Sequence, residues 1–293
     1  MRRAYEFAYD PEVVTIGPFH YKKERQELLT VTEQHKIQFL FRSPYMHSQT
    51  SDEKEVRLGK LAEEMKKLEE RTRCCYSEAF ADICSDDFVR MMVLDGCLIL
   101  HLFHCWDHNR QFYQEFASGS LLRERWIVPA IGMDLVKLEN QLPFFVLQKL
   151  YQLTRPIDNE QSLLTLASEF LQSLSLKAEK LPTESYPQHL LALYHSMFEP
   201  LTGSRPSHGT QKSSDQEFLI PRAKELIYHG IQIRKGNEQR LLEIKHGKPY
   251  LLEIPPLFID NNIGSILRNL VAYEQCFRDV QPYFTSYIVF LHG

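Results

Sequence analysis

"LVKLENQLPFFVLQKLYQL", Leu135 to Leu153, decides how the chain folds. Leucine, valine and phenylalanine recur on both sides of Glu139, Asn140, Gln141 and Pro143 at spacings that suit buried helix. Three adjacent polar side chains in such a setting need partners, because each buried group left unsatisfied costs roughly 1–3 kcal/mol. Pro143 has no N–H to donate, and its ring strains an unbroken helix. The stretch therefore reads as a helix that ends near Glu139 and restarts near Pro143. The carboxylate and two amides take up the backbone groups orphaned at the break. The competing reading, an acid and two amides gripping a ligand, ranks second because buried polar groups are generally satisfied ones.

Asp95 poses the same problem inside "FVRMMVLDGCLILHLFHCW", a segment apolar nearly all round and so expected at the centre of the fold. Ser85-Asp86-Asp87 supplies a capping side chain and acids at its N-terminal end. A buried carboxylate requires a partner. Arg268, in "ILRNLVAYEQ", is the expected one for Asp95 and also for Glu139, with Asn269, Glu274 and Gln275 nearby on a second apolar helix. Asp95, Glu139, Asn140, Gln141, Arg268, Asn269, Glu274 and Gln275 are thus read as a structural polar cluster. A catalytic acid with a raised pKa is the functional alternative, but no nucleophile or phosphate-binding loop lies near it in sequence.

Working outward, "PEVVTIGPFH" (Pro11 to His20) is extended and closed by the turn signal Gly17-Pro18. Helices are expected over Glu24 to Phe41, from Glu53 to Arg73, over Ser162 to Leu176 and over Pro187 to Phe198. "PRAKELIYHG" reads as a short helix, with Pro221 in its first turn and Gly230 at its C-terminal cap. "LLEIKHGKPYLLEI" alternates around His246-Gly247-Lys248 as a hairpin does. The fold class is mainly α (α+β), a helical globular domain with a small β-hairpin element. Residues 1–293 read as a single domain: a helical N-terminal lobe over 1–199, a Ser/Gly/Pro-rich linker over 200–217, and a C-terminal lobe over 218–293.

Composition excludes several classes. The 293 residues carry 34 basic and 38 acidic side chains, so no field steers the chain to nucleic acid. The apolar run "MMVLDGCLILHLF" is broken by Asp95, Gly96 and His101, short of the ~18 apolar residues of a membrane span. Six cysteines are too sparse for a disulfide scaffold, which suits a reducing compartment. "HLFHCWDH" places His101, His104, Cys105 and His108 partly on one helix face, but on two rows, so solvent-facing or satisfied histidines are read there instead of a metal site. Cys74-Cys75 reads as small packing residues, since adjacent cysteines rarely suit a disulfide. "EEMKKLEER" is read as a solvated helix face, with a partner-binding helix as the alternative. Phosphate-loop, metalloprotease, serine-elbow, paired-cysteine and dinucleotide motifs are missing. No catalytic residue, metal ligand or cofactor is assigned.

Four ordered blocks carry a resemblance: "VVTIGPFH", "FVRMMVLDGCLILHLF", "LVKLENQLPFFVLQKLYQL" and "IPRAKELIYHGIQI" continuing to "LLEIPPLFIDNNIGSILRNLVAYEQCF". From about Tyr9 onward the chain resembles the plant family catalogued as domain of unknown function 247. The resemblance implies a mostly helical fold without established catalysis. It also implies a globular part held against a membrane, because members typically end in one hydrophobic span; a subgroup is connected with pollen self-incompatibility. This chain ends at "SYIVFLHG", where relatives continue, and is expected to be a truncated form whose apolar "YFTSYIVFL" lacks its partners. The expected function is a non-enzymatic interaction or signalling module with protein partners, tethered (at the plasma membrane) in full-length relatives. As given, the chain reads as soluble and cytoplasmic. The competing class is an enzyme or small-ligand binder using Asp95, Glu139 and Arg268.

Overall fold

The computed structural model describes residues 5–21, 31–42, 45–46, 50–107, 126–154, 161–174, 176, 186–199, 223–236, 241–247 and 249–292. Its elements are mainly helical with one small sheet. Helices α1 (Glu33–Arg42), α2 (Ser51–Arg73) and α3 (Ser85–Asp107) come first, followed by α4 (Ile127–Leu135), α5 (Phe144–Thr154), α6 (Leu163–Gln172) and α7 (Leu190–Ser196). The short α8 (Ala223–Tyr228) then leads into strands β1 (Gln232–Lys235), β2 (Lys245–His246) and β3 (Leu251–Ile254). Helices α9 (Ile263–Cys276) and α10 (Tyr283–His292) end the described chain.

Helix α3 is the hub. Its side chains are apolar on nearly every face, and α1, α2, α5 and α6 pack around it. It is long and apolar enough to cross a membrane, yet 83% of that window is buried inside the fold, so its hydrophobicity is already used by neighbouring helices. The α5 contact is close at Gly96: a Cβ there would stand 2.2 Å from Leu150 Cδ1, so a larger residue would require the Leu150 side chain to move. Helix α2 begins with a reciprocal capping box, Glu53 N–H donating to Thr50 Oγ1 and Thr50 N–H donating to Glu53 Oε2. It buries Leu61 and Met65 against α3, while Lys67 pairs with Glu63 and Glu64 on its solvent side.

The break in the opening stretch is present but falls earlier than the sequence suggests. Helix α4 ends at Leu135, and residues 136–143 form a connector before α5. The reason lies in the amides. Asn140 Nδ2 donates to the Asp134 carbonyl (3.0 Å), and Gln141 Nε2 donates to those of Leu135 (2.8 Å) and Lys137 (2.7 Å). The last carbonyls of α4 are thus capped by side chains from the connector itself, which allows termination a full turn before Glu139.

The hairpin expected around His246-Gly247-Lys248 exists, with β2 antiparallel to β3. A third strand was missed: β1 pairs in parallel with β3, giving the order β1-β3-β2. "QIRK" has no apolar alternation to announce it, and its exposed side chains fit a sheet edge. The helix expected over Glu24 to Phe41 is described only from Glu33, residues 22–30 lying outside the described residues. Residues 200–217, read as a linker, and Pro221 lie outside them too. The helices expected over 162–176 and 187–198 are shorter, Leu163–Gln172 and Leu190–Ser196. In α10, expected to lack partners, Phe284 and Tyr287 are buried while Val289 and Leu291 remain exposed.

His189 caps α7 through its ring: the Ala192 N–H donates to Nδ1 at 3.1 Å. Accepting that bond requires an unprotonated nitrogen, and burial pushes the imidazole pKa down to about 4. A histidine depressed in the folded state contributes stability that is present above its ordinary pKa of ~6.5 and is lost as pH falls from there towards 4. His189→Asn keeps a capping acceptor and removes the titration. Urea melts of the variant should therefore vary less with pH between 6.5 and 4 than those of the parent; an unchanged slope would refute the assignment.

Candidate functional site

The stretch from Pro11 to Gly17 follows the 3-10 turn at Glu6–Ala8 and makes a single isolated bridge among the described residues, Val14 to Val31. Its side chains Val13, Val14 and Ile16 are buried, so its backbone is buried with them and must be satisfied locally. Side chains do this. Asp134 accepts from the N–H groups of Glu12 (2.9 Å), Val13 (2.7 Å) and Val14 (2.9 Å). Asn140 accepts from Ile16 N–H (2.6 Å) through Oδ1 and donates to the Val14 carbonyl (3.1 Å) through Nδ2. Asp95 accepts from Gly17 N–H at 2.8 Å. Lys36 donates to the Thr15 carbonyl (2.6 Å) and to Asp95 Oδ1 (2.5 Å). At the other end, Asn269 and Ser265 donate to the Ala8 carbonyl, both at 2.8 Å.

Gly17 ends the segment for two reasons. Its φ of +74° is left-handed, and a Cβ would stand 2.4 Å from the Gln141 carbonyl oxygen. The Gln141 side chain closes the same layer, Oε1 accepting from Leu191 N–H at 3.1 Å.

The predicted cluster therefore separates into distinct sites. Asn140, Gln141 and Asp95 do share one layer, but Asp95 pairs with Lys36 and not with Arg268. Arg268 donates to the carbonyl of Gly264 one turn earlier (2.8 Å) and lays its guanidinium over the Tyr5 ring at 4.3 Å. Asn269 does reach the connector, its Oδ1 accepting from Leu138 N–H at 2.9 Å. Glu274 belongs to another junction: it accepts from His195 (2.9 Å), from Phe284 N–H (2.7 Å) and from both N–H (2.8 Å) and Oγ1 (2.7 Å) of Thr285, so it tethers α10 to α9 and α7. Gln275 is exposed and takes no part.

Burial pushes the carboxyl of Asp95 up, against the pull of the Lys36 ammonium and the Gly17 amide. Asp134 behaves alike: burial raises it, while Lys137 at 3.1 Å and three amides oppose the rise. For Glu274 the balance reverses. Burial pushes up, but bonds from His195, Thr285 and two amides outweigh it, holding the carboxyl below the usual range.

Lys36, Asp134 and Lys137 are the functional residues sequence reasoning missed. "MDLVK" carried a faint signal, an acid and a base three apart in an apolar helix. In "HLFHCWDH", where satisfied or solvent-facing histidines are expected, His101 stacks on Phe39 at 5.8 Å and sits 3.5 Å from Cys105 Sγ; His108 lies outside the described residues. Cys74 and Cys75 are free and exposed, not packed inside as expected. A different group can hold a cation: ligand atoms of Asp10, His20 and Glu139 lie within 4.8 Å of one another. Two open grooves, one between α2 and α5 and one beside β1, have none of the eight predicted residues in their walls.

Fold and junctions together define a mainly helical domain whose extended N-terminal segment is clasped by buried side chains. The chain belongs to the plant family of proteins of unknown function numbered 247, whose family model matches residues 1–293. It is also similar to a UPF0481 protein of Arabidopsis thaliana, 32% identical over 306 residues. That match covers 97% of this chain, and the chain spans 61% of the relative's length. No solved structure matches it.

Removing the clasp should be felt as lost stability. Asn140→Ala strands the Ile16 N–H and the Val14 carbonyl, so a loss of about 1–3 kcal/mol is expected in urea unfolding. Lys36→Met leaves Asp95 as a buried unpaired charge and should cost about 3–5 kcal/mol. Adding Asp95→Leu to Lys36→Met should cost less than the sum of the two single changes. Additive losses would dismiss the Lys36–Asp95 pair.

Proposed function

We propose that this chain is a non-catalytic protein-interaction module, held near a membrane in the longer proteins of its family. The observation that carries this reading is where the polar residues go. Asp95, Asn140, Gln141, Asn269 and Glu274 are spent on backbone groups and buried partners that join one segment to another. Such a sealed network stabilises a scaffold and offers a substrate no convergent set of free groups.

Surface features support the same reading. Large apolar side chains project around the small sheet: Ile227, Tyr228 and Tyr250, with Phe258 (70% exposed) and Ile259 (82%) just after β3. Exposed aromatic and aliphatic residues of this kind suit protein contact better than chemistry. The membrane part of the proposal rests on the family resemblance, whose members usually carry a further hydrophobic span.

Quantitative recovery of partners from plant membranes tests the proposal, using a family protein of full length bearing this domain. Tyr228→Ser with Ile259→Ser should reduce recovery of specific partners at least tenfold while the thermal midpoint stays within about 2 °C, as expected for surface changes. Unchanged recovery would remove the sheet as the contact surface. Loss of a small-molecule ligand on Asn140→Ala, with stability intact, would replace the interaction reading by the ligand-binding one.

A further inference from the structure

Three segments distant in sequence bring a carboxylate, an imidazole and a second carboxylate to one place. Asp10 follows the short 3-10 turn at Glu6–Ala8, His20 follows the Gly17-Pro18 turn, and Glu139 opens the polar triplet of the connector. Their ligand atoms lie within 4.8 Å of one another; His20 is 3% exposed, and the two acids are half-buried. We propose that Asp10, His20 and Glu139 bind one divalent transition-metal ion of the zinc class, which fastens the N-terminal segment to the connector.

The chemistry of the donors selects the ion. Two carboxylates carry the charge that a dication neutralises, and an imidazole favours zinc-class ions over magnesium or calcium, which prefer oxygen throughout. Ligand bonds of about 2.0–2.2 Å put tetrahedral donors roughly 3.4 Å apart. Small side-chain rotations would bring the observed group to that spacing. Three protein ligands leave a fourth position for water.

The ligand-bearing backbone is fixed by bonds that do not use the ligand side chains. Asp10 N–H donates to the Glu6 carbonyl at 3.1 Å, and its own carbonyl accepts from Lys137 Nζ at 2.5 Å. Lys137 does not leave its charge uncompensated beside the site, since Asp134 stands 3.1 Å away. The turn before His20 is pinned by Gly17 N–H on Asp95 and closed by Tyr21 N–H on the Pro18 carbonyl at 3.2 Å, and the Phe19 ring meets the imidazole edge-on at 5.1 Å. Glu139 sits between Leu138, tied to Asn269, and Asn140, tied to Ile16. A site held this way is preorganised, so little ordering remains to oppose binding.

The test uses the 293-residue chain, stripped with chelator and titrated with Co²⁺ as a visible probe, with Zn²⁺ as competitor. One equivalent of Co²⁺ should produce a saturable visible spectrum that Zn²⁺ abolishes, and bound Zn²⁺ should raise the thermal midpoint. Asp10→Asn and Glu139→Gln preserve shape and should each weaken binding at least tenfold with far-ultraviolet circular dichroism unchanged; they keep the test decisive if His20→Ala fails to fold. Absence of a saturable one-equivalent spectrum, or undiminished binding in both isosteric variants, would overturn the site. So would binding that survives Glu139→Gln but disappears in a Cys74→Ser/Cys75→Ser protein, since the ion would then sit on the exposed thiols.

Discussion

A strand without a sheet is the constraint on which this structure depends. Residues 12–17 need hydrogen bonds as any buried extended chain does, and among the described residues only the isolated Val14–Val31 bridge pairs with them as a strand would. Asp134, Asn140 and Asp95 stand in for the missing strand, presenting acceptors to five backbone N–H groups along the segment. The substitution is costly in desolvation, because two carboxylates must go inside. Lys36 and Lys137 go inside with them, each within 3.1 Å of its carboxylate. Helices α1, α3, α4 and α9 are thereby tied to one segment that none of them adjoins in sequence.

The same device recurs at the other end of the domain. Glu274 presents its carboxylate to the first turn of α10, accepting two amide bonds and a hydroxyl bond there, and meets His195 of α7 at 2.9 Å. Helix α10 buries only Phe284 and Tyr287 completely, so this polar contact is a large part of what orients it. Apolar burial around α3 supplies the bulk of the driving force. The buried acids set which segment goes where, since a hydrophobic surface alone would accept several registers.

What could be read from the chain followed local pattern closely. Helix α3 was legible because it is apolar on nearly every face behind a Ser-Asp-Asp start, and the β2–β3 hairpin because alternation flanks a His-Gly-Lys turn. The break before Pro143 was legible too, since no helix passes a proline unstrained. Partners were not. Arg268 looked suited to Asp95 by charge alone, yet Lys36, to which the sequence drew no attention, is the buried cation that reaches it. Asp10, His20 and Glu139 share no spacing that a sequence could display, because three separate turns bring them together. The family resemblance identified the ordered blocks correctly and said nothing about which side chains within them touch.

The clasp also sets an order of events during synthesis. Ile16 leaves the ribosome 124 residues before Asn140, the side chain that accepts its N–H. At ordinary elongation rates that gap lasts on the order of ten seconds. The Ala8 carbonyl waits longer still, its partner Asn269 following 261 residues later. In that interval only nearer partners have appeared, Val31 N–H for the Val13 carbonyl, Lys36 for the Thr15 carbonyl and Asp95 for the Gly17 N–H, and a β-branched, apolar segment left partly unpaired is the kind of sequence that chaperones hold. A segment made early in the domain is therefore among the last to find all its partners, and it must be guarded until the helices that receive it have been completed.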